Sequence, residues 1–303
     1  MLLVTGAAGF IGSNVIAALN ARGRSDIICV DQLDNGDKFT NLVGRKIADI
    51  IDWATLQEDS LPHLQGIIHL GAITDTQTRD CRALMTANYE FSKRMLWLAD
   101  KMECPMVYAS SASVYGDGVR GFRENPENEK PKSPYAFSKW AFDEYVRRQL
   151  AVKRVTTPVA GARYFNVYGP GEAHKGDMAS FMYKCFCAVR ENKPITLFDG
   201  SHKIYRDFIY VDDAVAITLF LLDNRLTGIY NAGTGSEVSF LDVAEIIAGK
   251  DVEIFCVPFP AKMLRGYQAF TQADLSKLRA AGFRDSMSTV ELGIARYRRE
   301  LVA

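Results

Sequence analysis

The stretch that decides the fold is Leu2–Gly12, LLVTGAAGFIG. Its apolar start predicts a buried strand, which leads directly into Gly6, Gly9 and Gly12. Glycines at this spacing let the backbone turn tightly and approach a pyrophosphate, and the helix that follows offers free N–H groups and the positive end of its dipole. Asp31 ends the next apolar run, DIICVD, where a dinucleotide-binding unit carries its acidic residue. The stretch therefore predicts a strand, a phosphate-binding turn and a helix.

The alternation of apolar runs and helical patterns continues through the first half of the chain. GIIHLGA (66–72) and PMVYASS (105–111) read as further buried strands, and VAGARYFNVYG (159–169) would extend the same sheet. Helical spacing covers residues 11–22, 83–101 and 134–150. This order predicts an α/β fold with a doubly wound parallel (Rossmann) sheet.

The pattern of apolar runs and helical segments changes after Pro170. A helix (178–191) and a strand (195–198) follow, and 207–224 runs from a strand into a helix that returns towards the first domain. From about residue 228 the pattern mixes short strands and helices. We expect a cofactor-binding Rossmann domain in 1–170, with a return segment near 207–225. Residues 171–303 would form mainly a smaller, partly discontinuous α+β substrate-binding lobe.

Composition excludes several classes of partner. The 303 residues carry 36 basic and 36 acidic side chains, so no net charge favours nucleic acid or an anionic membrane. The longest apolar run, Ala214–Leu222, is shorter than the about 20 residues that cross a bilayer, and no secretory signal pattern precedes the first strand. We therefore expect a cytoplasmic protein. Six scattered cysteines without a CxxC pair, and only 4 histidines, predict reduced thiols and no metal site.

A tyrosine and a lysine mark the candidate catalytic helix. Tyr135 and Lys139 stand four residues apart, so both side chains share one helical face. Ser133 can cap this helix, and Pro134 suits its first turn. Tyrosine has a usual pKa of about 10, but a nearby ammonium and an oxidised nicotinamide both favour tyrosinate. The pair is thus suited to take a proton from a substrate hydroxyl, and the lysine can also hold the nicotinamide ribose.

Spacing alone does not single out this pair, because Tyr89 and Lys93 share it. We interpret the latter as ordinary helix surface. Ser111 distinguishes the first pair, since it ends a predicted strand at the edge where parallel sheets present their ligands. Ser111 could hydrogen-bond a substrate oxygen beside Tyr135.

Asp31 and Lys38 do not by themselves decide between NAD and NADP as the cofactor. Asp31 could accept bonds from the adenosine ribose hydroxyls, which favours NAD, and it would repel a 2′-phosphate. Lys38, seven residues on, could compensate for that repulsion.

Together these motifs resemble the extended short-chain dehydrogenase/reductase family of nucleotide-sugar epimerases and dehydratases. TGAAGFIG, SSASVYG, YAFSK, RYFNVYGP, RDFIYVDD and NAGTG carry the resemblance across nearly the whole chain. Within the family, DNGDKFTNL (34–42), RYFNVYGPGEAHKGDMAS (163–180) and PFPAKMLRGYQAFTQADLSKLRAAGF (258–283) resemble the epimerases that act at C6″ of ADP-manno-heptose. The resemblance implies conversion of ADP-D-glycero-β-D-manno-heptose into its L-glycero epimer for lipopolysaccharide synthesis. It also implies a homo-oligomer, with a pentamer as one candidate.

The resemblance further implies specific residue roles. Tyr135 and Lys175 would be the two acid/base groups on opposite faces of a transient ketone, supported by Lys139 and Ser111. It implies NADP as cofactor, with NAD as the alternative. Cofactor contacts would come from Gly6, Gly9, Phe10, Ile11, Gly12, Asp31, Gln32, Lys38, Leu70, Gly71, Ala72, Asn88, Tyr135, Lys139 and Val167. Substrate contacts would come from Ser111, Asn166, Asp177, Lys184, Phe198, Asp199, Gly200, Ser201, Arg206 and Tyr267.

The chain departs from this subfamily at three positions. Asp177 replaces a serine and Lys184 a histidine, both at expected substrate contacts, while Trp53 replaces a lysine expected to touch the cofactor. One alternative is an epimerase acting at C4 of a UDP-sugar. A 4,6-dehydratase is disfavoured because Ala112 and Ser113 stand where its acidic pair would be. A non-catalytic NADP-sensing module is a third alternative, which retention of the tyrosine–lysine pair argues against.

Overall fold

The computed structural model describes residues 1–33, 36–250, 252–259 and 268–302. Seven parallel strands form the central sheet, in the order β10-β6-β5-β4-β1-β2-β3. These strands are β1 (Leu2–Thr5), β2 (Ile27–Asp31), β3 (Asp49–Asp52), β4 (Gly66–His69), β5 (Met106–Ser111), β6 (Val159–Tyr164) and β10 (Gly228–Ala232). The helices are α1 (Phe10–Ala21), α2 (Cys81–Met85), α3 (Phe91–Lys101), α4 (Pro134–Ala151), α5 (Phe181–Arg190), α6 (Val211–Asp223), α7 (Phe240–Ala248), α8 (Ser276–Ala280) and α9 (Val290–Val302). The predicted doubly wound parallel fold is confirmed.

Alternating strand residues build a core on each face of the sheet. Leu2 and Val4 face the side covered by α1 and α6. Leu3 faces the opposite side, which α3 and α4 cover. A strand buried on both faces reads as a continuous apolar run, which is why LLV carries no polar alternation.

Two smaller sheets form a third core with α5, α7 and α9. One contains β7 (Asn166–Tyr168), β9 (Tyr205–Tyr210) and β11 (Glu237–Ser239), and the other pairs β8 (Ile195–Phe198) with β12 (Ile254–Val257). The proposed division of the chain at residue 170 stays a prediction.

The predicted helix 83–101 is divided into α2 and α3 by a π-helical turn, Thr86–Glu90, and three further sequence expectations differ from the structure. The run 159–169 splits, because the Phe165 N–H bonds to the Ala232 carbonyl and β7 then leaves to pair with β9. Strand β10, expected in the smaller lobe, instead pairs with β6 at the edge of the central sheet. The expected helix 178–191 begins at Phe181, because the Ser180 hydroxyl accepts a bond from the Tyr183 N–H and caps it there.

Across the described ranges, the helices are too short or too polar to cross a membrane. The six cysteines carry free thiols, of which Cys81 and Cys256 are exposed.

Candidate active site

A cavity of about 720 Å³ opens at the carboxyl ends of the central strands. This is the edge where open parallel sheets bind their ligands, and the volume lies in the upper part of the range for small-molecule sites. Seventeen of the predicted site residues line the cavity: Gly6, Gly9, Phe10, Ile11, Gly12, Asp31, Gln32, Lys38, Leu70, Gly71, Ala72, Ser111, Tyr135, Lys139, Asn166, Val167 and Lys175.

The glycine-rich turn is shaped by close backbone contacts. Gly6 has a φ of +65°, and a Cβ there would lie 2.7 Å from the Gly71 nitrogen. A Cβ on Gly12 would lie 2.0 Å from the Gly6 carbonyl oxygen. Gly9 caps α1 without a side-chain bond to its first turn, and that turn holds no acidic residue. The free N–H groups and the positive dipole end of α1 therefore face the cavity and suit a pyrophosphate.

Asp31 is bonded on both carboxylate oxygens. Its Oδ2 accepts the Ala8 N–H at 2.7 Å, which ties the end of β2 to the glycine-rich turn. Its Oδ1 accepts the Gln32 N–H at 2.7 Å and the Lys38 ammonium at 2.5 Å. Lys38 thus neutralises the carboxylate that would otherwise repel a 2′-phosphate.

Trp53 lies in the same part of the cavity wall as Gln32. Its indole N–H donates to the Gln32 side-chain oxygen at 2.9 Å, and its ring packs edge-on against Phe91 at 5.3 Å between centroids. An apolar ring therefore stands where the subfamily pattern has a second cation.

Tyr135, Lys139 and Ser111 meet on one wall of the cavity. Ser133 caps α4 by accepting the Ala136 N–H at 3.1 Å, so the helix begins where the sequence indicated. Burial raises the pKa of Tyr135, and a hydrogen bond with Ser111 opposes this shift. The spacing of the three residues thus brings them together as expected.

Lys139 is only 6% exposed, and its ammonium donates to the Ala109 carbonyl at 2.9 Å. Burial lowers its pKa to about 8, against the opposing charge of Asp143 one turn further along α4. The competing pair Tyr89 and Lys93 does not line the cavity. There the Lys93 ammonium pairs with Glu90 at 2.7 Å, in agreement with its interpretation as helix surface.

Asp143 ties α4 to β5 beneath these groups. It is fully buried and accepts the Tyr108 hydroxyl at 2.9 Å, the Ser110 hydroxyl at 2.7 Å and the Arg163 guanidinium at 2.6 Å. Lys139 binds the carbonyl between those two β5 residues, so three successive β5 positions are fixed to one helix. Sequence reasoning missed Asp143, although its spacing of one turn from Lys139 is visible.

Lys175 enters the cavity from a short 3-10 helix, Ala173–Met178. Its ammonium lies 5.5 Å from the centroid of the Phe10 ring. Burial lowers the pKa of Lys175 and Lys184 adds to this shift, whereas the charge of Glu172 opposes it. Glu172 is fully buried and accepts bonds from the Ser180 hydroxyl at 2.7 Å, the Gly169 N–H and the Tyr297 hydroxyl.

Several expected contact residues lie away from the cavity wall. Asn88 is buried and instead holds the backbone of Ile73, accepting its N–H at 2.8 Å and donating to its carbonyl at 3.0 Å. Asp177 and Lys184 are exposed, and the Lys184 ammonium donates to the Asp177 backbone carbonyl at 2.7 Å. These two departures from the subfamily therefore contact each other.

Five further expected substrate contacts lie around β8 and β9 and are absent from the described cavity lining. These are Phe198, Asp199, Gly200, Ser201 and Arg206. Ser201 donates to the Phe198 carbonyl at 2.5 Å. The Arg206 guanidinium is buried and lies 5.5 Å from the ring of Phe240, which does line the cavity. Tyr267 lies outside the described residues.

The cavity also contains residues that sequence reasoning did not propose. They are mostly apolar or small polar side chains, including Thr74, Thr76, Ser113, His174, Met178, Ser180, Phe181, Phe208, Phe240 and Gln268. No local motif marks them, because they come from segments far apart in the chain. Within the described ranges, no cluster of histidine, cysteine and acidic residues could hold a metal ion.

Solved structures that resemble the whole chain include three nucleotide-sugar epimerases. An ADP-L-glycero-D-manno-heptose-6-epimerase from Helicobacter pylori is 26% identical with a TM-score of 0.86, over 100% of this chain and 96% of that one. A UDP-glucuronic acid 4-epimerase from Bacillus cereus, in complex with UDP-glucuronic acid and NAD, is 25% identical with a TM-score of 0.83, over 99% of each chain. A UDP-N-acetylglucosamine 4-epimerase from Methanobrevibacter ruminantium M1 is 23% identical with a TM-score of 0.88, over 99% of this chain and 97% of that one. This similarity shows the fold alone.

The profile of the NAD dependent epimerase/dehydratase family matches residues 2–233, and thus both the glycine-rich turn and helix α4. The chain therefore belongs to the NAD dependent epimerase/dehydratase family, whose members act on nucleotide sugars with a nicotinamide dinucleotide.

Proposed function

We propose that this enzyme epimerises ADP-D-glycero-β-D-manno-heptose at C6″ to the L-glycero epimer, for the inner core of lipopolysaccharide. The observation that carries the proposal is that one cavity holds two separate acid/base candidates, Tyr135 on α4 and Lys175 on the loop after β7. An epimerisation through a ketone removes a proton from the hydroxyl oxygen and returns one to the ketone oxygen after the carbonyl has turned over, so an acid/base group is needed in each of the two orientations. The likeness over the whole chain to the H. pylori enzyme supports the same substrate.

The cofactor fits the residues of the cavity. Gly6 and Gly12 lie so close to neighbouring backbone that a side chain at either would displace the turn that suits a pyrophosphate, and we assign Asp31 with Lys38 to the adenosine end. The nicotinamide, when bound, supplies a reversible hydride acceptor, so that the sugar is oxidised and reduced without net redox change. We propose NADP as the cofactor, because the Lys38 ammonium can offset the charge of a 2′-phosphate.

The protein residues then handle protons and position. Tyr135 takes the proton of the C6″ hydroxyl, and the Lys139 ammonium favours the tyrosinate form. Ser111 donates a hydrogen bond to the substrate oxygen and keeps it beside Tyr135. Lys175 supplies the proton to the ketone oxygen in its turned orientation, and its burial helps because a lowered pKa makes a lysine a better proton donor.

Two tyrosine variants test this function. Tyr135→Phe should abolish most epimerisation of the ADP-heptose while the protein retains its cofactor, because only the phenolic proton acceptor is lost. Tyr89→Phe, which alters the other tyrosine–lysine pair, should turn over normally. Near-normal turnover by Tyr135→Phe would contradict the assigned role.

We also propose a homo-oligomer, with a pentamer as one candidate, and a cytoplasmic location. Sedimentation would test the first and cell fractionation the second.

A further inference from the structure

The side chain of Asn41 joins two parts of the candidate active site. Asn41 lies in a 3-10 helix, Lys38–Leu42, and its amide nitrogen is 2.9 Å from the Ala8 carbonyl oxygen in the glycine-rich turn. The same nitrogen is 3.0 Å from the Gly171 carbonyl oxygen and 3.1 Å from His174 Nδ1. Both of these acceptors belong to the loop that carries Lys175. One half-buried amide thus connects the cofactor side with the second acid/base candidate.

The cofactor end of this connection is fixed through Asp31. The Ala8 N–H donates to Asp31, which pairs with Lys38 at the start of the same 3-10 helix. Both backbone polar groups of Ala8 are therefore held by one unit that contains Asp31, Lys38 and Asn41. A dinucleotide that engages Asp31 and Lys38 would fix the position of this unit.

The other end of the connection holds the start of the Lys175 loop. Asn14 adds a second tie by donating to the Phe10 and Pro170 carbonyls at 2.9 and 2.8 Å. Within the loop, the buried Glu172 is a further anchor, because its carboxylate accepts the Gly169 N–H and the Ser180 hydroxyl and its backbone carbonyl accepts the Lys175 N–H. Asn14 and Asn41 therefore tie this anchored loop to the cofactor side of the cavity.

We propose that Asn41 is a positioning residue that couples cofactor binding to the placement of Lys175. The bound dinucleotide fixes the position of the 3-10 helix, and the hydrogen bonds of Asn41 then hold Gly171 and His174 in place. The role of Lys175 rests on the proposed function, but the mechanical coupling does not. An enzyme built in this way places its second proton donor only when the hydride acceptor is present.

Hydrogen–deuterium exchange of the full chain tests the coupling, with and without saturating NADP. In the wild type, NADP should slow exchange in residues 171–178 as well as in the turn 6–12. In Asn41→Ala, NADP should still slow exchange in residues 6–12. Exchange in residues 171–178 of the NADP-bound variant should be roughly tenfold faster than in the NADP-bound wild type, which is the size expected for a lost hydrogen bond. The cofactor Kd should change little while kcat falls.

Asn20→Ala is the matched control. Asn20 also donates to two backbone carbonyls, those of Arg24 and Lys46 at 2.7 and 2.8 Å, but these carbonyls belong neither to the glycine-rich turn nor to the loop that carries Lys175. It should behave as the wild type. Equal protection of 171–178 in Asn41→Ala and the wild type would overturn the proposal, as would a wild-type loop that NADP does not protect. An enzyme that shows the expected exchange pattern but no epimerisation would contradict the proposed function and leave the coupling intact.

Discussion

Replacing Lys139 by methionine should change how the stability of the fold depends on pH. Burial lowers the pKa of Lys139 from 10.5 to about 8, with the charge of Asp143 opposing the shift. A difference of this size means that the charged ammonium costs the folded state about 3 kcal/mol relative to the unfolded chain. A preorganised charge at an active site thus lowers stability.

The pH window follows from the direction of that shift. Below about pH 8 both states are protonated, and the cost is fully present. Between about 8 and 10.5 the unfolded chain binds a proton that the folded protein does not, so the wild-type free energy of unfolding rises with pH. The methionine side chain does not titrate in this window. The free energy of unfolding of Lys139→Met minus that of the wild type should therefore fall by about 3 kcal/mol across the window.

Urea unfolding of both cofactor-free proteins, at intervals from neutral pH to the end of that window, measures this difference. Loss of the bond to the Ala109 carbonyl shifts the variant by a constant and leaves the slope unchanged. Lys93→Met is the control, because a hydrogen bond to Glu90 raises the pKa of Lys93 and its difference curve should be flat in this window. Parallel curves for Lys139→Met and the wild type would contradict a lowered pKa of Lys139 in the folded state.

Three further variants probe the site. Lys175→Met should slow reduction of the 6-keto intermediate on one face more than on the other, read as the ratio of the two epimers formed; an unchanged ratio would mean that Lys175 only binds substrate. Lys38→Met should weaken NADP roughly tenfold more than NAD by calorimetry, since one charge-assisted contact is lost; equal losses would mean that Lys38 acts only through Asp31. Gly12→Ala should abolish cofactor binding because its Cβ would lie 2.0 Å from a backbone oxygen, whereas Gly36→Ala meets nothing within 4 Å; normal binding by Gly12→Ala would contradict the cradle.

The sequence predicts the parts of the fold that depend on local patterns. Fully buried parallel strands and capped helices leave such patterns, as Leu2–Thr5 and the start of α4 illustrate. The pairing of Gly228–Ala232 with β6 joins segments that are far apart, and no local signal announces it. The break at Phe165 has the same origin, since its partner is the Ala232 carbonyl.

The same distinction separates the predicted from the unpredicted site residues. Ser111, Tyr135 and Lys139 could be proposed because strand ends and helical spacing constrain them. Phe181, Phe208 and the other apolar wall residues have no spacing that marks them as cavity-lining. Asn41 likewise gains its importance only from three contacts across the fold.

The most direct test of the account is proton NMR of ADP-D-glycero-β-D-manno-heptose incubated with the purified protein and no added cofactor. The L-glycero epimer should appear, which would establish the reaction and the self-regenerating cofactor together. An unchanged spectrum from protein with cofactor bound would contradict the proposed substrate. The contact between Asp177 and Lys184 would then point to a different sugar nucleotide, to be sought among UDP-, GDP- and other ADP-sugars.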